Sequence, residues 1–138
     1  MATHRSQSEA DTEAIGEAFA AALEAGAVVL LDGPLGAGKT AFVRGMARGL
    51  GASAGDVSSP TFSLLQEYPG RLTLFHADLY RLRPPEVADL GLLDVSADGI
   101  LAVEWPERWN AAPVQAIRVN INKDDEHTRT IMISPSLS

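Results

Sequence analysis

The chain has 138 residues, 46% hydrophobic and 21% charged, which is the balance of one folded domain and not of a disordered chain. Asp and Glu number 18 against 11 Lys and Arg, a formal net charge of −7. That argues against holding DNA or RNA alone, because such binding rests on many Lys/Arg–phosphate contacts. Cysteine is absent, which excludes disulfides, thiolate nucleophiles and Cys-based metal sites.

In chain order, residues 1–10 are polar and lack the apolar centre of a signal peptide. No apolar run approaches the roughly 20 residues that span a bilayer. A cytoplasmic protein without membrane contact is therefore expected. Residues 9–25 place Ile15, Phe19, Ala22 and Leu23 on one helical stripe, with Gly26 as its stop. Glu9, Asp11, Glu13 and Glu17 load the early turns with negative charge, which suits the positive end of a helix. Residues 27–31 are continuously apolar and read as a strand buried on both faces. A glycine-rich turn follows, then a helix from about Lys39 to Leu50 with Phe42, Val43 and Met46 facing inward.

Residues 62–68 and 71–76 read as a hairpin around Pro69-Gly70. Pro84-Pro85 opens a short helix through Leu90, and residues 100–103 form another continuous apolar strand, which Pro106 keeps from extending. Ile117, Val119 and Ile121 alternate with polar neighbours, as do residues 130–134. That predicts half-exposed antiparallel strands joined around Asp124-Asp125-Glu126.

Gly33-Pro34-Leu35-Gly36-Ala37-Gly38-Lys39-Thr40 fits G-x-x-x-x-G-K-[ST] at every fixed position. The glycines let successive N–H groups converge on a phosphate. The helix beginning at Lys39 aims its positive end at the same anion. Lys39 can reach the β- and γ-phosphates, and the Thr40 hydroxyl can ligate Mg²⁺. Gly33, Leu35, Gly36, Ala37, Gly38, Lys39, Thr40 and Ala41 are thus the candidate nucleotide-binding segment. The competing reading, a chance glycine-rich turn, is weakened by the buried strand before it and the helix after it.

Hydrolysis also needs an acid to organise Mg²⁺ and a group to orient water. Two acids follow apolar runs. Glu104 ends the more continuous one and is favoured for Mg²⁺; Asp78 then becomes the candidate for positioning water. Either could instead be a cap or a surface acid. Thr61 could sense the γ-phosphate or Mg²⁺ from its loop, or simply lead into the next strand. His76 has no second His or Cys at ligand spacing and reads as structural. Trp105 and Trp109 are core residues, or else a wall of the nucleotide pocket or a partner contact. Arg81, Arg83 and Arg108 could neutralise phosphate charge, and Arg108 is carried as a nucleotide-binding candidate.

Asn122-Lys123-Asp124-Asp125 matches the N-K-x-D guanine-recognition pattern. The strand before it alternates, which reads as an edge, and no D-x-x-G follows the phosphate loop. The four residues are read as a polar hairpin turn.

Four blocks together resemble the bacterial tRNA threonylcarbamoyladenosine biosynthesis ATPase family, TsaE (also called YjeE). They are Gly36-Ala37-Gly38-Lys39-Thr40, Ser59-Pro60-Thr61-Phe62, His76-Ala77-Asp78-Leu79-Tyr80-Arg81-Leu82 and Val103-Glu104-Trp105-Pro106-Glu107-Arg108. The phosphate loop is generic, whereas the other three in this order are specific. The resemblance covers about residues 27–108. It implies an α/β fold: a P-loop NTPase three-layer sandwich, with a mainly parallel central sheet and antiparallel hairpin additions, over a single P-loop ATPase domain at 1–138. It implies ATP and Mg²⁺ as cofactors, and hydrolysis that is slow alone and modulated by partners. The partners would be the tRNA threonylcarbamoyltransferase subunit and its paralogous companion, with tRNA met only through the complex. Lys39 carries over as the phosphate lysine, Thr40 and Glu104 as Mg²⁺ ligands, and Thr61 as switch-like. Asp78 and Trp105 carry over as residues needed for hydrolysis.

Two other classes compete. A small-molecule P-loop kinase would need an acceptor pocket and a lid, for which the chain leaves little length. A nucleotide-gated binding module would bind ATP with negligible hydrolysis. Residues 33–83 hold six bases against three acids, so the acidity lies outside the phosphate-loop region.

Overall fold

The computed structural model describes residues 2–52 and 65–135. Among them the chain runs β1 (Ala2–Ser6), α1 (Glu9–Ala21), β2 (Val28–Asp32), α2 (Lys39–Gly49), β3 (Leu65–Tyr68), β4 (Leu74–Asp78), α3 (Pro84–Ala88), α4 (Leu92–Val95), β5 (Ile100–Glu104), a 3₁₀ turn (Pro106–Arg108), β6 (Ile117–Lys123) and β7 (Arg129–Ser134). The described strands form one sheet in the order β1-β7-β6-β2-β5-β4-β3. No described helix is long and apolar enough to cross a membrane.

The continuous apolar runs take the central places. β2 pairs in parallel with β5 and β6, and β4 in parallel with β5. Along β2, successive side chains face opposite sides. Val29 and Leu31 join Phe19, Phe42 and Met46 under α1 and α2; Val28 and Leu30 join Val87, Leu92 and Trp109 on the other face. Burial on both faces is what a strand of unbroken apolar residues requires.

The parallel arrangement holds for the four inner strands only. β3, β7 and β1 pair antiparallel with their neighbours, so half of the described pairings are antiparallel. That is the expected arrangement of a parallel centre with antiparallel additions at its two sides. β6, however, is not an edge: it lies between β2 and β7. It alternates because Ile117, Val119 and Ile121 pack beneath the helices, while Arg118 on the opposite face stays exposed. Alternation reports one uncovered face, not an unpaired edge. Asn122 and Lys123 belong to this strand, and the turn proper begins at Asp124.

α1 ends four residues earlier than its stripe suggests. The N–H groups of Ala22 and Leu23 bond back only three residues, to Phe19 and Ala20, which tightens the last turn into 3₁₀ geometry. β1 was not foreseen in the polar leading segment. It pairs with β7 and exposes Thr3, His4 and Arg5.

Candidate functional site

β2, β4 and β5 are parallel, so their carboxyl ends meet at one edge of the sheet. In such sheets the ligand crevice lies beyond those ends. Here the crevice is about 730 Å³ and receives the segment Leu35 to Ala41, with Asp78 from the end of β4 and Glu104 and Trp105 from the end of β5.

The phosphate loop connects β2 to α2. Gly36 and Gly38 have φ of 78° and 107°, in the left-handed region that glycine takes without strain. Gly38 is the N-cap of α2, and no side chain caps the helix. The first N–H groups of that helix have no acceptor within it. They are donors for an anion, and a phosphate suits them. Gly33 lies behind the loop: a Cβ there would come within 2.7 Å of the Ile121 carbonyl.

Lys39 is 5% exposed. Its Nζ donates to the Gly33 carbonyl at 2.8 Å and stands 3.9 Å from the centroid of the Trp105 ring. Trp105 has φ of 60°, the one described non-glycine residue with positive φ. Such a conformation costs about 1–3 kcal/mol and persists only where the surroundings impose it. Here it sets the indole between the Lys39 ammonium and the Tyr80 ring, whose centroid is 4.9 Å away. The two tryptophans divide: Trp105 lines the crevice, and Trp109 is buried in the core.

Asp78 and Glu104 stand opposite each other in the β4–β5 register. Asp78 accepts the Tyr80 N–H at 3.0 Å. Glu104 is buried, and its Oε2 lies 2.6 Å from His76 Nε2. No group of three or more His, Asp or Glu that could hold a metal occurs among the described residues. Mg²⁺ fits this donor set all the same, because it is bound by one or two protein oxygens with phosphates and water completing the shell. Thr40 and Glu104 both line the crevice and supply such oxygens.

A family model, "Threonylcarbamoyl adenosine biosynthesis protein TsaE", matches residues 6–131. The chain belongs to the TsaE family. It is similar to proteins named tRNA threonylcarbamoyladenosine biosynthesis protein TsaE from other organisms. That of Nostoc sp. is 44% identical over 120 residues, 82% of this chain and 73% of that protein. That of Treponema pallidum is 48% identical over 105 residues, 75% of this chain and 77% of that protein. The crystal structure of Bacillus subtilis YdiB superposes with a TM-score of 0.75 at 31% identity, covering 96% of this chain and 83% of that one.

In this TsaE-family chain, Leu35, Gly36, Ala37, Gly38, Lys39, Thr40, Ala41, Asp78, Glu104 and Trp105 share the crevice as expected from the motifs. Arg108 does not join them: its guanidinium donates to the Leu82 carbonyl at 2.9 Å. Arg81 does line the crevice, whereas Arg83 sits beside Glu86 at the start of α3. Thr61 lies outside the described residues.

Two contributions to the crevice had no recognisable sequence signal. Ser8, Glu9 and Thr12 bring the start of α1 to the crevice. Arg129, on β7, donates from Nε to the Ala37 carbonyl at 2.9 Å and from Nη2 to Gly36 at 3.3 Å. Its Nη1 holds the carbonyls of Asp125, Glu126 and Thr128, so one guanidinium ties the phosphate loop to the β6–β7 turn. Asp32, the last residue of β2, lies 3.6 Å from Arg118. Burial pushes its carboxyl above the ordinary value; Arg118 pulls it down, Glu107 pushes it up and Lys39 pulls it down, in that order of size.

Proposed function

We propose that this chain is the ATP-binding and ATP-hydrolysing subunit of tRNA N6-threonylcarbamoyladenosine biosynthesis, with a P-loop NTPase fold. The observation that carries the reading is the meeting of the Leu35–Thr40 segment of the loop with Glu104 and Asp78 in one crevice, in a chain of the TsaE family. The N-terminus of α2 and the ammonium of Lys39 bind and orient the phosphates, because aligned donors at a helix start favour anions. Lys39 has further to stabilise charge that grows on the transferring phosphoryl group. Thr40 and Glu104 are the residues that would hold Mg²⁺, which when bound neutralises phosphate charge. Asp78, across from Glu104, is suited to orient the attacking water. Trp105 and Tyr80 wall the phosphate end and keep Lys39 close.

The partners in this reading are the threonylcarbamoyltransferase subunit and its paralogous companion, in the cytoplasm. Hydrolysis supports turnover of that complex, and tRNA is reached through it. A net charge of −7 accords with contact to protein rather than directly to nucleic acid. The test is reconstitution of tRNA modification from the purified transferase pair, with and without this chain. Multiple turnovers that need the chain and ATP are expected. Modification that proceeds equally without the chain, or phosphate moved onto a nucleoside or sugar acceptor, would overturn the reading.

A further inference from the structure

His76 is fully buried, although it comes from a segment that offered no partner for it in sequence. On β4 it stands two residues before Asp78, on the same face of the strand. Its neighbour across the β4–β5 ladder is Ala102, and Ala102 stands two residues before Glu104. The methyl group of Ala102 leaves the imidazole room to lean along the strands toward the carboxylate. The result is a contact of 2.6 Å between His76 Nε2 and Glu104 Oε2, both side chains being nearly or wholly shielded from water.

As the metal-binding carboxylate of the functional reading, Glu104 has only acceptor sites, and Nε2 is then the donor. The other ring nitrogen, Nδ1, is buried and has no hydrogen-bond partner among the described residues. Burying an unpaired polar atom costs about 1–3 kcal/mol. Phe or Leu would fill the same interior place without that cost. A histidine here is therefore poorly explained by packing, and among the described residues its one polar contact is to the acid at the crevice.

We infer that His76 is a positioning residue for the Mg²⁺ acid: it anchors Glu104 through Oε2 and so holds the remaining oxygen, Oε1, for the metal. This rests on the functional reading given above. Carboxylate ligands are usually oriented by such outer partners, and loss of the partner commonly weakens metal affinity or activity about 10–100-fold. An unanchored Glu104 would sample several rotamers, and each binding event would have to order it again.

The test measures equilibrium binding of adenylyl-imidodiphosphate by calorimetry across a Mg²⁺ titration, for wild type and for His76→Leu, His76→Asn and His76→Gln. Thermal melts without nucleotide run in parallel. The Nε2 of Gln reaches about as far as that of His, while Asn falls short. The expected result is a half-saturating Mg²⁺ concentration raised about 10–100-fold in His76→Leu and His76→Asn. His76→Gln should return it to within a few-fold of wild type. Because Asn and Gln are both polar amides, a role in stability alone would not separate them in Mg²⁺ dependence at matched melting temperature. Should His76→Leu fail to fold, the Asn and Gln pair still decides. Mg²⁺ dependence equal in all four proteins would overturn this inference and leave the functional reading standing. Wild-type protein that binds the analogue no more tightly with Mg²⁺ than without it would overturn both.

Discussion

Lys39 Nζ stands 3.9 Å from the centre of the Trp105 ring while it donates at 2.8 Å to the carbonyl of Gly33. Both contacts are to neutral groups. A phosphate competes for the same ammonium with a full opposite charge, which neither the carbonyl nor the ring carries. ATP should therefore draw Lys39 off the indole. The measurement is fluorescence of a Trp109→Phe protein, in which Trp105 is the one remaining tryptophan. ATP is expected to change its emission, and Lys39→Ala should abolish the change. An unchanged spectrum on saturation with ATP would contradict the geometry as the route of phosphate capture.

Glu104 and Asp78 are partners in register, and the proposed function gives them different duties. Glu104→Ala is expected to weaken the Mg²⁺ dependence of nucleotide binding. Asp78→Ala should spare nucleotide binding and lower turnover, because the proposed part of Asp78 is to orient water. Binding titrations and steady-state hydrolysis on both variants check this. The opposite pattern would exchange the roles.

Asp32 gives a pH dependence whose sign follows from its raised carboxyl. The folded state holds that proton more tightly than the unfolded chain does. Its contribution to stability is complete below the ordinary aspartate value of 3.8 and is lost as pH rises through the higher folded value. Asp32→Asn should then gain stability over wild type as pH rises out of the acid range, with the difference vanishing in acid. Chemical denaturation across that range reads it directly. A gain that shrinks with rising pH would contradict the assignment.

α1 and α2 approach so closely that a Cβ at Gly45 would lie 2.0 Å from the Glu13 carbonyl oxygen, and one at Gly16 would lie 2.3 Å from that of Phe42. In an exposed helix, Gly→Ala stabilises by about 1 kcal/mol. Here the added methyl strikes backbone, and overpacking of this kind costs about 1–3 kcal/mol or more. Gly45→Ala is expected to lower the melting temperature, and a rise would show that the helices can separate freely.

The parts legible in the sequence were those with local signals. β2 and β5 announced themselves as unbroken apolar runs, and Gly33 to Thr40 as a spaced motif opening a helix. The parts that were not legible depend on long-range closure. Arg129 reaches Ala37 across 92 positions of chain, and no periodicity encodes that. The contact of His76 with Glu104 joins two strands across 28 positions, and no spacing encodes it. β1 is short, polar and at the sheet edge, where only pairing with β7 makes it a strand. β6 alternates although it is an inner strand, because alternation reports exposure of a face, and Arg118 lies on the exposed one.

Hydrolysis of ATP by wild type and by Lys39→Ala, each alone and with the transferase pair, tests the central claim most directly. The account predicts slow hydrolysis by wild type alone, a faster rate in company, and near-complete loss in Lys39→Ala with its melting curve preserved, since the role of the lysine is electrostatic and local. A Lys39→Ala protein that hydrolyses ATP at the wild-type rate would contradict it.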